Sequence, residues 1–297
     1  MNPLPVPNPD LQIAFFYRLK AVRDVYLRDA LRAAVSVVPL ADINAELQEY
    51  VSAASLAKIA SFGLRGETVF AVPCLLKQQP RLLGYYRLLY GLSQKEFYSK
   101  LPYGRFKRME EAAKMTTLPD GVQDLCRCLA STGERLIAEL DDLSLDLVQD
   151  LQLLTLGPQF RGSRNTDLGK AATQKTFALI KDLVKPYIES ATDSIIELQN
   201  DSGRLVRIEF ASDPDIAISS TGKHQRNLLV SVEIKGGTDV SNMHNRLGEA
   251  EKSHQKASAA GYFEFWTILR TEIDPQTAHA ESPTTSVFFN LDRLYEP

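Results

Sequence analysis

Two acidic side chains and a lysine occur together in one stretch of the C-terminal half. The stretch DPDIAISSTGKHQRNLLVSVEIKGG (213–237) contains a Pro-Asp pair at Asp215 and, eighteen residues later, Glu233 followed by Lys235. Side chains alternate between the two faces of a strand, so Glu233 and Lys235 in NLLVSVEIK point the same way. If PDIAIS returns alongside as a hairpin partner, Asp215 lies at the same end. The pattern predicts two carboxylates and an ammonium group at one spot.

This trio suits hydrolysis of a phosphodiester. Two carboxylates can bind Mg²⁺, which lowers the pKa of a bound water and neutralises charge in the transition state. A nearby lysine can position or deprotonate that water, or stabilise the developing charge. Gly236 and Gly237 follow Lys235 and allow the close approach of a DNA strand. The competing interpretation is an ordinary amphipathic hairpin in which Glu233 and Lys235 form a surface ion pair.

The elements around the trio are predicted to be strands and helices in turn. A loop is predicted at Gly157-Pro158 and RGSRNT, followed by a helix from about Asp167 until Pro186 ends it. Strand patterns follow in SIIELQN, RLVRIEF, DIAIS and NLLVSVEIK, then a helix over residues 242–260, then the strands EFWTILR and TSVFFNLD. The predicted order is helix, three or four strands, helix, two strands.

The first half is predicted to be mainly helical. From Leu11, LQIAFFYRLKAVRDVYLRDALRAAV repeats apolar residues at spacings of three and four, which predicts one amphipathic helix started by Asn8-Pro9-Asp10. Further helices are expected over residues 41–62 and 121–154. We therefore expect an α/β (α+β) chain with a mainly helical part at 1–156 and a second part at 157–297.

A basic and aromatic stretch at 77–114 has two interpretations. It holds nine Lys or Arg residues against three Glu, interleaved with tyrosines and phenylalanines. Basic residues can neutralise phosphates and aromatic rings can pack on sugars or bases, as in a nucleic-acid interface. Equally, the rings can form the core of a helical hairpin whose charges are solvated. The sequence leaves both open.

Composition sets broad limits on the class of protein. The 297 residues are 44% hydrophobic and 24% charged, with a formal net charge of −3, which is typical of a globular chain that can bury a core. No window approaches the length of a membrane span, and MNPLPVPNPDLQ does not resemble a signal peptide. We expect a cytoplasmic protein with no membrane partner.

The element order and the PD…EIK motif resemble the PD-(D/E)xK nuclease superfamily, from about residue 159 to the C-terminus. VEIKGGTDVSNMHNRLGEAEKSHQKA with FRGSRNT is similar to type II restriction endonucleases of the XcyI type, over most of the chain. The resemblance implies a nuclease core at 157–297 with a mixed central sheet flanked by helices. It also implies that Asp215 and Glu233 bind Mg²⁺ and that Lys235 assists the attacking water. Many superfamily members carry a metal-binding Glu on the first core helix, where LGKAATQKTF offers Gln174.

The XcyI-type resemblance implies further properties. These are a bacterial homodimer that cuts double-stranded DNA at a palindromic, CCCGGG-like site with 5′ overhangs, and a cognate methyltransferase that acts on the same site but need not bind the nuclease. The helical part would then help to clasp DNA or the second subunit. The alternatives are a structure-specific repair nuclease with the same core and a non-catalytic DNA-binding protein.

Polar residues on the helix after Lys235 are candidates for reading bases. Arginine and lysine can bind guanine O6 and N7, and acids can accept from cytosine N4, so a G·C-rich target favours Arg246, Lys252 or Lys256, with Glu249 or Glu251 for cytosine. Phosphate contacts and a solvated helix face use the same residue types. The full set of predicted DNA-binding residues is His244, Asn245, Arg246, Lys252, Lys256, Arg161 and Arg164.

Overall fold

The computed structural model describes residues 7, 9–100, 102–112, 115, 117–222, 226–237 and 242–295. The chain divides into two compact units, of which the first ends at Gly162 and the second begins at Ser163. The predicted fold class is confirmed, since helices make up the N-terminal region and a mixed sheet with flanking helices follows. No helix of the described residues is long and apolar enough to cross a membrane.

The N-terminal region is built from helices around one apolar core. In chain order they are α1 (Asp10–Tyr26), α2 (Arg28–Val37), α3 (Leu40–Tyr50), α4 (Ala53–Ser61), α5 (Pro73–Gln78), α6 (Leu82–Leu89), α7 (Lys107–Glu111), α8 (Val122–Glu139) and α9 (Leu145–Leu183). Tyr85, Tyr86, Phe97 and Phe106 from the basic and aromatic stretch are fully buried in this core. Their rings are therefore core residues and do not form a nucleic-acid surface.

Three helices predicted as continuous are each interrupted. The helix predicted over residues 121–154 is divided by residues 140–144, which lie between α8 and α9. Leu27 is extended between α1 and α2, and its buried side chain packs against Leu88 and Leu156. Val51 is likewise extended and buried between α3 and α4. Apolar periodicity does not indicate such breaks because apolar residues recur at helical spacing on both sides of them. Asn8, part of the predicted cap, lies outside the described residues, and Pro9 before α1 makes no side-chain cap bond.

The loop predicted at 157–166 is wrong, because α9 runs through it with Pro158 inside the helix. A proline in a helix interior costs about 3 kcal/mol. Here Leu156 and Phe160 on the same helix pack into an apolar cluster with Leu27 and Leu88. This burial on both sides of Pro158 outweighs the local preference for a turn.

The second unit contains a seven-stranded mixed sheet. Its strands, in spatial and chain order, are β1 (Ile188–Ala191), β2 (Ile195–Gln199), β3 (Leu205–Phe210), β4 (Ile216–Thr221), β5 (Arg226–Lys235), β6 (Glu264–Leu269) and β7 (Val287–Asn290). Neighbours from β1 to β5 pair antiparallel, and β5, β6 and β7 pair parallel. Two helices, α10 (Met243–Ala260) and α11 (Pro275–Glu281), connect the parallel strands.

The central strand β5 is covered on both faces. Val232 and Ile234 pack in an apolar cluster with Ala172 and Phe177 of α9. The alternate side chains, among them Ser231 and Glu233, contact α10. The sheet therefore buries its polar side as well as its apolar side, which places the acidic residue of β5 in an enclosed environment.

Candidate active site

Pairing of β4 with β5 brings the two predicted acids to the same end of the sheet. Ile216, the first residue of β4, lies opposite Val232 in the antiparallel register, so the preceding Asp215 falls level with Glu233. The Oδ2 atom of Asp215 accepts a hydrogen bond of 2.7 Å from the backbone N–H of Ile234. Asp215 is thereby held against the strand that carries Glu233 and Lys235.

Glu233 and Lys235 form a short ion pair inside the protein. Lys235 Nζ donates to Glu233 Oε2 at 2.9 Å, and the side chains are 18% and 6% exposed for the lysine and the glutamate respectively. This environment differs from the surface ion pair of the competing interpretation. Partial burial strengthens the interaction of the two charges with each other and with Asp215.

Burial and neighbouring charges shift the pKa of Asp215 and of Lys235. Burial and the negative charge of Glu233 raise the pKa of the Asp215 carboxyl. Burial alone would lower the pKa of Lys235, but the neighbouring Glu233 carboxylate outweighs it and the pKa of this ammonium is raised. Lys235 is therefore a cation at neutral pH, and it faces two partly desolvated acids.

Magnesium fits this donor set. Hard carboxylate oxygens are the ligands that Mg²⁺ prefers, and it commonly uses one or two of them together with water and phosphate oxygens. The repulsion that raises the pKa of Asp215 is the kind that a bound divalent cation relieves. Among the described residues no group of three or more His, Cys, Asp or Glu side chains is placed to hold a metal. Gln174 is exposed on α9.

Ser253 and Asp213 near Glu233 were not predicted from the sequence, whereas their neighbour Lys256 was predicted as a DNA contact. Ser253 Oγ on α10 lies 2.6 Å from Glu233 Oε1 and also contacts Asp213 Oδ1. Lys256, one helical turn later, donates to Asp213 Oδ2 at 3.0 Å. The spacing of three residues between Ser253 and Lys256 places them on one helix face, but it does not indicate which strand that face contacts.

Hydrogen bonds from a buried histidine fix the position of α10 against the sheet. His254 is fully buried, and its Nε2 lies 2.8 Å from Thr267 Oγ1 while its Nδ1 lies 3.4 Å from Ser231 Oγ. Thr267 is the register partner of Glu233 on the neighbouring strand β6. Burial lowers the pKa of His254, so its imidazole is held neutral. These bonds set the height of α10, and hence of Ser253, over the sheet.

A cleft of about 630 Å³ opens beside Lys235 in the second unit. It is lined by the end of β5 with Gly236 and Gly237, by the first turns of α10 and by Asn165 and Gly169 of α9. Four of the predicted DNA-binding residues line it, namely His244, Asn245, Arg246 and Lys252. Asn165 and Asn242 line it as well and were not predicted as DNA contacts.

Several cleft residues are already held by neighbouring groups. Arg246 Nη1 donates to the Gly237 carbonyl at 2.7 Å, and a Cβ at Gly237 would collide with the Arg246 guanidinium. Asn245 Nδ2 donates to Asn242 Oδ1 at 2.9 Å. His244 Nδ1 contacts the Glu281 carboxylate. Lys252 is exposed.

Other predicted residues lie elsewhere. Lys256 is paired with Asp213, and Arg161 and Arg164 stand on the helix α9, although a loop was expected there. The Glu251 carboxylate accepts from the backbone N–H of Thr284 at 3.0 Å and from its hydroxyl at 2.6 Å. Glu251 is therefore engaged with its own chain, whereas Glu249 lines the cleft.

The chain is similar to known proteins over almost its whole length. A family model described as XcyI restriction endonuclease matches residues 16–296. The chain is 44% identical to the type II restriction enzyme XcyI of Xanthomonas campestris pv. cyanopsidis, over 99% of this chain and 90% of the relative. It is 42% identical to the type II restriction enzyme Cfr9I of Citrobacter freundii, over 99% of this chain and 91% of the relative. No solved structure matches the chain at a significant level.

Proposed function

The chain belongs to the XcyI restriction endonuclease family, and from this premise we propose that it cuts double-stranded DNA at a palindromic, CCCGGG-like site and leaves 5′ overhangs. It is a type II site-specific deoxyribonuclease, and enzymes of this type are generally metal-dependent. We propose Mg²⁺ as the metal. The observation that carries the proposal is the partly buried cluster of Asp215, Glu233 and Lys235 beside a cleft lined with hydrogen-bond donors.

In this mechanism the carboxylates of Asp215 and Glu233 would hold the metal ion. Bound Mg²⁺ would supply Lewis acidity, which favours deprotonation of the attacking water and neutralises charge on the phosphate. The Lys235 ammonium orients that water and stabilises the negative charge that develops in the transition state. Ser253 keeps the Glu233 carboxylate in one orientation.

DNA recognition is assigned to the cleft and its surroundings. Arg246 and Lys252 are suited to guanine O6 and N7, and Glu249 to cytosine N4. His244 and Asn245 add donors along the same wall. Phosphate contact is assigned to Lys256, Arg161 and Arg164. The helical part at 1–156 helps to clasp DNA or a second subunit, and 157–297 is the nuclease core. A cognate methyltransferase acts on the same site and need not bind the enzyme.

The test is cleavage of long DNA of known sequence with and without Mg²⁺, with the ends mapped by sequencing. We expect ends at one repeated G·C-rich palindrome, only with the metal. Lys235→Ala should leave the DNA intact, while Arg204→Ala, which removes an exposed side chain between β2 and β3, should cut like the parent. Ends that follow branches would indicate a repair nuclease. Retained but uncut DNA with every divalent metal would indicate a binding protein.

A further inference from the structure

A second cavity, of about 420 Å³, lies within the first unit. Its apolar walls include Leu31, Val35, Leu64 and Val148, and its polar lining includes arginines, one glutamate and two glutamines. A volume between roughly 300 and 1,000 Å³, apolar walls and a few convergent polar groups are typical of small-molecule sites. The proposed cleavage reaction uses none of these residues.

Three residues that line this cavity each carry a buried polar atom without a hydrogen-bond partner in the described part of the chain. These atoms are Arg28 Nε, Glu67 Oε2 and Gln152 Oε1. An unpaired buried donor or acceptor costs about 1–3 kcal/mol, and such groups are rare in folded proteins. Their concentration around one cavity indicates that the missing partners belong to a ligand.

The orientation of two of these side chains is fixed by their other ends. Glu67 Oε1 accepts a hydrogen bond from Arg65 Nε at 2.5 Å, so Oε2 is the carboxylate oxygen that remains without a partner among the described residues. Gln152 Nε2 donates to the Tyr85 carbonyl at 3.1 Å, so its amide oxygen is the free acceptor. A ligand that completes the cavity must therefore offer N–H or O–H donors to two oxygens and one acceptor to Arg28 Nε.

The cavity also has cationic groups available for an anion. Arg32 is exposed and forms no ion pair with any described residue. The ion pair of Arg28 with Asp146 is long, at 3.7 Å, and the acid is 91% exposed. Guanidinium groups bind phosphate by paired, charge-assisted hydrogen bonds. Arg28 and Arg32 are spaced four apart on α2 and so share a face.

We propose that this cavity binds a nucleotide whose base carries an amino group, with its phosphate on Arg28 and Arg32. N–H groups of the base, from its amino group and in guanine also from ring N1, donate to Glu67 Oε2 and Gln152 Oε1, and a ring nitrogen or carbonyl accepts from Arg28 Nε. Leu31, Val35 and their apolar neighbours enclose the faces of the base. Guanine, adenine and cytosine carry an exocyclic amino group, and thymine does not. The nucleotide is either free or part of a DNA strand.

The test is calorimetric titration of the full chain with dGMP, dAMP, dCMP and dTMP in buffer without divalent metal. We expect saturable one-to-one binding of the amino-bearing nucleotides, about tenfold or more tighter than dTMP. Arg32→Ala should weaken binding about tenfold, and Ser36→Trp, which fills the cavity from an exposed position on its lining, should abolish it. Arg135→Ala removes an exposed arginine outside the cavity and should bind like the parent.

The source of the nucleotide is tested in a second arm with a short DNA duplex at saturation. Displacement of bound nucleotide, with Arg32→Ala weakening duplex binding in parallel, assigns the cavity to a nucleotide of the DNA strand. Unchanged binding assigns it to a free nucleotide. No saturable heat with any nucleotide, equal binding of dTMP, or parent-like binding by both cavity variants would overturn the proposal. Cleavage is not measured, so the result is independent of the proposed nuclease function.

Discussion

Glu233 is the residue on which the contacts of the candidate active site converge. One carboxylate oxygen accepts from Lys235 and the other from Ser253, while Asp215 contributes a second negative charge. The sequence predicted that Asp215, Glu233 and Lys235 would meet, because alternation and a hairpin constrain them. It did not predict Ser253, whose contact depends on how α10 lies over the sheet.

Replacement of Ser253 by alanine tests whether this hydroxyl orients Glu233. A hydroxyl carries one proton, so Ser253 can donate to Glu233 or to Asp213 but not to both. We expect Ser253→Ala to slow single-turnover cleavage roughly ten- to hundredfold and to raise the Mg²⁺ concentration needed for half the maximal rate. Duplex binding without metal should not change.

The matched control is Ser253→Thr, which keeps a hydroxyl at the same position. This variant should restore most of the rate and the Mg²⁺ dependence of the parent. A purely structural role would make both variants equally slow, or would leave the Mg²⁺ dependence of Ser253→Ala equal to that of the parent.

Glu251 gives a prediction for stability against pH. Burial raises the pKa of its carboxyl, but hydrogen bonds from Thr284, Gln255 and Ser282 outweigh burial and hold the pKa below its ordinary value. A carboxyl with a lowered folded pKa stabilises the fold above the unfolded pKa of about 4.3, and that contribution is lost as pH falls through the folded value. We expect Glu251→Gln to cost about 1–3 kcal/mol at pH 7 and progressively less in acid.

Thermal unfolding of the parent and Glu251→Gln from neutral pH into acid measures this difference. Glu249→Gln, which changes an acid of the nearby cleft, is the matched control and should show a smaller gap. If the difference in stability between the parent and Glu251→Gln stays constant as the pH falls below about 4, the hydrogen bonds of Glu251 do not favour its charged form.

At the scale of elements, long periodic segments were predictable and short ones were not. The strands β2 to β7 and the helix α10 follow alternation or helical spacing in the sequence. The edge strand β1 has four mostly exposed residues, and α11 has seven residues. Neither is long enough for a periodic signal, although the Asp274-Pro275 pair is a helix start that was available to find.

The loop predicted at 157–166 was wrong because Gly157, Pro158 and Gly162 are residues typical of turns. The packing of Leu156 and Phe160, which favours the helix, cannot be read from the sequence. A helical glycine with open space at its Cβ position can be tested directly. A Cβ at the exposed Gly162 would meet no atom within 4 Å. We expect Gly162→Ala to stabilise the protein by about 0.5–1 kcal/mol, because alanine favours the helix. The measurement is the midpoint of chemical unfolding.

Gly236→Ala provides the contrast for this experiment. Here a Cβ would collide with the Ala172 side chain and lie 3.2 Å from the Leu168 carbonyl of α9. Overpacking of this kind costs about 1–3 kcal/mol. If Gly162→Ala failed to stabilise while Gly236→Ala still destabilised, residues around 162 would not be helical in solution.

At the scale of the whole molecule, the described residues of one chain hold one set of Asp215, Glu233 and Lys235. A palindromic duplex presents two equivalent strands related by a two-fold axis, and a symmetric pair of subunits matches it with one site for each strand. The homodimer we propose follows from this count. The sequence alone implied it only through resemblance, because no residue pattern identifies which surface meets the second copy.

Mixed subunits test the dimer and the assignment of the site together. Glu233→Gln removes the charge from one proposed metal ligand with little change in size. We expect heterodimers of parent and Glu233→Gln chains, purified through two different tags, to convert supercoiled plasmid into nicked circles. The intact subunit cuts its own strand, and the altered subunit cuts the other about 100-fold more slowly or not at all. Parent homodimers should give linear DNA, and Glu233→Gln homodimers should leave the plasmid supercoiled. Linear product from the heterodimer at half the parental rate would mean that one chain cuts both strands in turn.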